Sequence, residues 1–235
     1  MTRQTFHIAV VIAALALFLW MDGSAKAARV FPARSAQGPL MVRVDSQKDI
    51  YVVYQRSGLW GARVVHLNRF LNLVDYLPRE ENVTMPFPVR VGDVRPLYEK
   101  GLDSHNWLFI ANRTGMVRTV TVVLPAPVLR ERLVQFEGDF AFSVSGEIVR
   151  GYTHDMPLTV TTLDAMPAIR EPVIVNVDAG YFGFGEDPGR VLAGLREKCP
   201  DIRLIVVSGS RDEPEVVDGD RKRLRQFEKA WSSRG

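Results

Sequence analysis

The stretch from Pro172 to Phe182, Pro-Val-Ile-Val-Asn-Val-Asp-Ala-Gly-Tyr-Phe, constrains the fold more than any other part of the chain. Its β-branched run, opened by Pro and closed by Gly and aromatics, predicts a short strand that is apolar on both faces. Such strands lie inside parallel sheets covered by helices. Side chains alternate along a strand, so Asn176 and Asp178 share one face while Val175 and Val177 take the other. Two polar groups thus stand near the carboxyl end of a buried strand, where open α/β sheets bind their ligands. Asp178 has two roles open to it: ligand contact, or a local side-chain hydrogen bond that caps the turn at Ala179 and Gly180.

The same geometry occurs earlier, where a strand from Arg63 to Leu67 delivers His66 and Asn68 to one face. Before it, Leu40 to Val44 and Ile50 to Tyr54 read as two β-rich runs joined by a polar turn. Residues 79–82 and 85–88 read as a linker. A helix from Asp103 to Arg113, capped by Asp103 or Ser104, then leads through Thr114-Gly115 into a strand from Val117 to Leu124. A short helix is expected over Val128 to Val134. Phe140 to Val144, Glu147 to Tyr152 and Leu158 to Thr162 read as a small antiparallel insertion, with His154 in one of its loops. The chain closes with the 173–177 strand, a helix from Arg190 to Lys198, a strand from Ile202 to Val207 and a helix from Asp220 to Trp231. This order of elements predicts a single α/β domain over residues 28–235, with a mainly parallel sheet flanked by helices.

Residues 1–27 have a different character. Arg3 precedes an apolar run from Ile8 to Met21, followed by Ala25-Lys26-Ala27. This is the layout of a signal peptide cleaved after Ala27, and the run falls short of the roughly 20 residues a spanning helix needs. The mature protein is therefore expected in the periplasm or outside the cell, touching a membrane only through that segment before cleavage. Cys199 is the only cysteine, so no internal disulfide is available, and its Lys-Cys-Pro setting suits packing better than nucleophilic attack. With a net charge of only +3 and its Lys and Arg scattered, the chain is not expected to bind nucleic acid.

If the strands are parallel neighbours, their polar ends converge on one rim: His66 and Asn68, Asn176 and Asp178, and Ser208 with Asp212 and Glu213. Of these, His66, Asn68, Asn176, Asp178 and Ser208, together with Tyr181, form the candidate ligand pocket. Imidazole and carboxylate together could hold one divalent metal ion, with His66, Asp178 and either His154 or His105 as ligands. No close His pair fixes a ligand spacing, and the sequence has no Gly-x-Ser-x-Gly elbow, phosphate loop or dinucleotide fingerprint.

The order of segments resembles the arginase/deacetylase-like α/β superfamily. It is similar to an uncharacterised branch in which one strand ends in His-Ile-Asp-x-His-x-Asp and a later one in Asp-Ile-Asp-x-Asp-Tyr-Phe. The corresponding stretches here are His66-Leu-Asn68-Arg-Phe70-Leu-Asn72 and Asn176-Val-Asp178-Ala-Gly180-Tyr181-Phe182. The resemblance spans roughly residues 50 to 215. It implies metal-dependent C–N hydrolysis, but Asn68, Asn72, Asn176 and Gly180 stand where active members carry carboxylates, and Phe70 stands where they carry His. Only Asp178 keeps its carboxylate, so a binuclear centre lacks the charge to hold it. Three readings remain open: a non-catalytic ligand-binding relative, a hydrolase with a rebuilt mononuclear centre at His66, Asp178 and His154, and a structural envelope protein whose polar residues satisfy one another.

Overall fold

The structure, a computed structural model, describes residues 39–72, 102–153 and 155–233. Eight strands form one sheet: β1 Leu40–Val44, β2 Ala62–Leu67, β3 Val117–Val123, β4 Phe142–Ser145, β5 Ile148–Thr153, β6 Met156–Thr161, β7 Val173–Asp178 and β8 Ile202–Ser208. Their order across the sheet is β1-β8-β7-β2-β3-β6-β5-β4. The first six in that order run parallel, and β5 and β4 add an antiparallel edge.

Among the described residues five helices cover the two faces: α1 Lys48–Arg56, α2 Trp107–Arg113, α3 Ala126–Glu137, α4 Pro188–Lys198 and α5 Asp218–Ser232. Residues from α1, α2 and α3 pack with Val64, Val120, Val122, Ile174 and Val206 on one face. On the other face α4, α5 and a 3-10 helix, Ala179–Phe184, pack with Val65, Leu67, Val175, Val177 and Val207. All six residues of β7 are buried, as its unbroken apolar run requires of a central strand.

The topology determines where a site can lie. From β2 the chain winds outward through β3 to β6, then returns to the other side of β2 and winds the opposite way from β7 to β8. The reversal between β2 and β7 opens a crevice at their carboxyl ends, the usual ligand position in doubly wound sheets.

Three local readings are corrected. Ile50–Tyr54 lies in α1, not in a strand, because β1 takes β8 as its parallel partner and the 50–54 segment buries Ile50, Tyr51 and Tyr54. Tertiary burial of that stripe outweighs the β preference of its branched residues. The antiparallel part is smaller than expected, since β6 pairs parallel with β3 and belongs to the main sheet. Ahead of α2, Asp103 caps a preceding turn, accepting from the His105 and Asn106 N–H groups at 2.7 and 2.9 Å.

Two other features follow directly from residue type. α3 begins beyond Pro125 and carries Pro127 in its first turn, where a missing N–H costs nothing. Gly115, at φ +78°, turns the chain from α2 into β3, and a Cβ there would sit 2.6 Å from the Trp60 ring. No helix among the described residues is long and apolar enough to cross a membrane. The 8–21 apolar run and the 79–88 linker lie outside the described residues.

Candidate functional site

β8, β7 and β2 are parallel neighbours, with His66 beside Asn176, and Asp178 beside Ser208. The structure thereby brings His66, Asn68, Asn176, Asp178 and Ser208 together at the crevice, each at most 1 % exposed. Tyr181 does not join them. It lies in the 3-10 helix on the opposite face of the sheet, edge-on to Phe182, and burial raises its phenol pKa. His105 is exposed, edge-on to Phe70 at 5.9 Å between ring centres, and His154 lies outside the described residues.

At the centre stands Gln47, fully buried at the residue preceding α1. Its Oε1 accepts from Asn68 Nδ2 at 2.9 Å and from Asn72 Nδ2 at 2.5 Å. Its Nε2 donates to Ser210 Oγ at 3.2 Å and to Glu213 Oε1 at 2.7 Å. Both lone pairs and both hydrogens of the carboxamide are used. Asn72 spends its second amide hydrogen on the Ser104 carbonyl, and Asn68 spends its second on Asn72 Oδ1 at 2.7 Å. Asn68 then closes its own turn, with Oδ1 accepting from the Arg69 N–H at 2.7 Å.

Counting hydrogens assigns the His66 tautomer. The Asn68 amide has no hydrogen left for His66, so His66 Nε2 carries the proton and donates to Asn72 Oδ1 at 3.3 Å. His66 Nδ1 is then a bare acceptor. Among the described residues it has no partner, and neither does the buried indole N–H of Trp107, whose ring meets His66 edge-on at 5.4 Å between centres. Burial lowers the imidazole pKa to about 4, against a smaller opposing effect of the Asn72 bond, so the ring is neutral at pH 7.

Asp178 is committed in the same way. Its Oδ1 accepts from the Gly180 N–H at 2.7 Å, capping the 3-10 helix, and its Oδ2 accepts from Ser210 Oγ. A Cβ on Gly180 would lie 2.9 Å from that Oδ1 and 3.1 Å from Arg69 Cδ, so the backbone here is held too close for a larger residue. Burial raises the Asp178 pKa to about 6, offset in part by hydrogen bonds from Ser210, Gly180 and Ser208. Glu213 is pushed further, to about 8, first by burial and then by the Asp178, Asp212 and Glu215 carboxylates, with Arg69 opposing. Asp212 goes the other way: burial acts to raise it, but the Ser104 and Ser46 hydroxyls and a backbone bond outweigh that and lower its pKa.

Below the network, Tyr54 and Asn176 bond reciprocally, the hydroxyl donating to Asn176 Oδ1 at 3.0 Å and accepting from Asn176 Nδ2 at 2.8 Å. Two network members, Asn72 at φ 54° and Ser210 at φ 43°, hold the left-handed backbone that non-glycine residues avoid. Their side-chain bonds sustain that strain. Sequence reasoning missed Gln47, Ser46, Tyr54 and Ser104. The available signal was the spacing of Ile50, Tyr51 and Tyr54, which matches a helix stripe and would have turned Gln47 into a residue at a helix start facing the crevice.

The donor set does not fit a divalent metal ion. Asp178 has both oxygens occupied, His66 presents a protonated nitrogen to the cluster, burial and neighbouring carboxylates keep Glu213 protonated, Asp212 is committed to the Ser46 and Ser104 hydroxyls, and the remaining groups are carboxamides and hydroxyls. No three His, Cys, Asp or Glu side chains among the described residues are placed to share an ion. Cys199 is buried far along the other face, and burial pushes its thiol up to about 12. The sequence matches no protein-family model, and no curated protein matches it.

Proposed function

We propose that this chain is an exported, non-catalytic relative of the arginase/deacetylase-like hydrolases, whose strand-end site has become a polar brace and which binds a ligand without transforming it. The observation that carries this reading is the Gln47 carboxamide, whose four hydrogen bonds fill the centre of the crevice. A metal centre needs carboxylate charge and free lone pairs, and a nucleophilic water needs space beside them. Gln47, Asn68 and Asn72 supply neither. The brace ties the starts of α1 and α2 to the ends of β2, β7 and β8, so the ancestral position now contributes stability. Export is supported by Arg3, the Ile8–Met21 run and Ala25-Lys26-Ala27.

The test is elemental analysis of protein isolated from the exported fraction without chelator or affinity metal, together with its intact mass. This reading expects no stoichiometric metal and an amino terminus at Ala28. About one equivalent of zinc, iron or manganese, lost in Asp178→Ala, would instead support hydrolysis at a centre of His66, Asp178 and His154.

A further inference from the structure

Beside the brace, a cleft of about 340 Å³ opens between the end of β2, the start of α2, α3 and strands β4 to β6. That volume is at the low end of small-molecule sites, and the lining has their usual character, mostly apolar with a few polar groups. Phe136 and Phe142 form one wall, edge-on at 5.2 Å between ring centres, with Leu158 beside them. Phe70 forms the other, held between the His105 ring and the Arg69 guanidinium, which lies 5.0 Å from its centroid.

Among the described residues one cation is left over in this apolar setting. Arg132 lines the cleft, is half-buried on α3, and makes no ion pair or hydrogen bond with any described residue. Its neighbour Arg130, by contrast, turns back to the Ala126 carbonyl. Arg132 lines the same cleft as these rings, and a guanidinium whose donors are unspent among the described residues is a fork matched to a carboxylate, while the walls suit a flat or branched hydrocarbon. Asn72 belongs to both places, lining the cleft while bonding Gln47, so an occupant would rest directly on the brace.

We propose that this cleft binds a small carboxylate with an aromatic or branched aliphatic body, the body between Phe70, Phe136, Phe142 and Leu158 and the carboxylate on Arg132. The proposal gives a ligand class to the non-catalytic binding role stated above and rests on it. Isothermal titration of the full mature chain with 3-phenylpropionate and with the uncharged 3-phenylpropionamide tests it. The acid should bind at one site and the amide at least about tenfold more weakly, since the charge-assisted contact is lost. Arg132→Gln should bring the acid down to the level of the amide, and Thr153→Trp, which fills the cleft from its rim, should remove both. Urea midpoints of the two variants separate lost binding from lost fold. Equal affinity for acid and amide, or unchanged binding in a folded Arg132→Gln, overturns the anion contact, and no saturable binding of either probe overturns the site. Metal in the purified protein would overturn the non-catalytic reading without altering this titration, so the two failures are distinguishable.

Discussion

Replacing Gln47 by Leu keeps nearly the same volume and removes the four hydrogen bonds at the centre of the brace. The four partners do not suffer equally. Among the described residues Glu213 Oε1 loses its only donor, and Glu213 Oε2 already has no partner. Asn68 Nδ2 and Asn72 Nδ2 each lose one of their acceptors, retaining Asn72 Oδ1 and the Ser104 carbonyl respectively. Ser210 Oγ still donates to Asp178. Three buried atoms are left short at about 1–3 kcal/mol each, and because the two amide nitrogens each keep one acceptor they fall at the low end of that range, so the expected loss is on the order of 3–5 kcal/mol. Against a total stability of about 5–15 kcal/mol, that is a large fraction. In urea, with a slope of about 2 kcal/mol/M, the midpoint should fall by about 2 M at unchanged slope. Adding Glu213→Leu should recover about 1–2 kcal/mol relative to the sum of the single variants, because a pair removed together leaves no orphan. A loss below about 0.5 kcal/mol for Gln47→Leu, the range of a surface change, would refute the brace.

Two further predictions use the titrating groups. Glu213 holds its proton up to about pH 8 when folded but only to about 4.5 when unfolded, so its contribution is present at low pH and lost as pH rises through that window. Asp178 behaves alike up to about 6, whereas His66, lowered to about 4, acts oppositely and only below its ordinary 6.5. Between pH 6.5 and 8 the change therefore belongs chiefly to Glu213: wild-type urea midpoints should fall across that range and those of Glu213→Gln should stay nearly flat. Equal slopes would contradict the assignment. For His66, long-range nitrogen–proton NMR correlations should show a protonated Nε2 and a bare Nδ1 from pH 5 upward, and the reverse tautomer would break the hydrogen count on which the closed network depends.

β7 was readable in the sequence because a strand buried on both faces must be apolar throughout, and Val173–Val177 has only Asn176 as an exception. The convergence of His66, Asn68, Asn176, Asp178 and Ser208 was readable for a related reason: alternation fixes the face, and parallel pairing fixes the end. The partners that close the site were not. Gln47, Ser46 and Ser104 precede helices, where a polar side chain looks the same in sequence whether it meets solvent or a buried amide. α1 was hidden as well, because Ile50, Val52 and Val53 favour a strand until the burial of Tyr51 and Tyr54 is taken into account. Tyr181 was placed in the pocket with Asp178, but the 3-10 turn that follows Asp178 sends its ring to the opposite face.

The most direct test of the central claim is a crystal structure of the mature protein, grown without chelator, at a resolution that separates ordered waters from ions. The account predicts the Gln47 carboxamide within hydrogen-bond distance of Asn68, Asn72, Ser210 and Glu213, with no ion at the strand ends. An ion about 2.0–2.2 Å from both His66 and Asp178, with Gln47 turned away from the crevice, would contradict it.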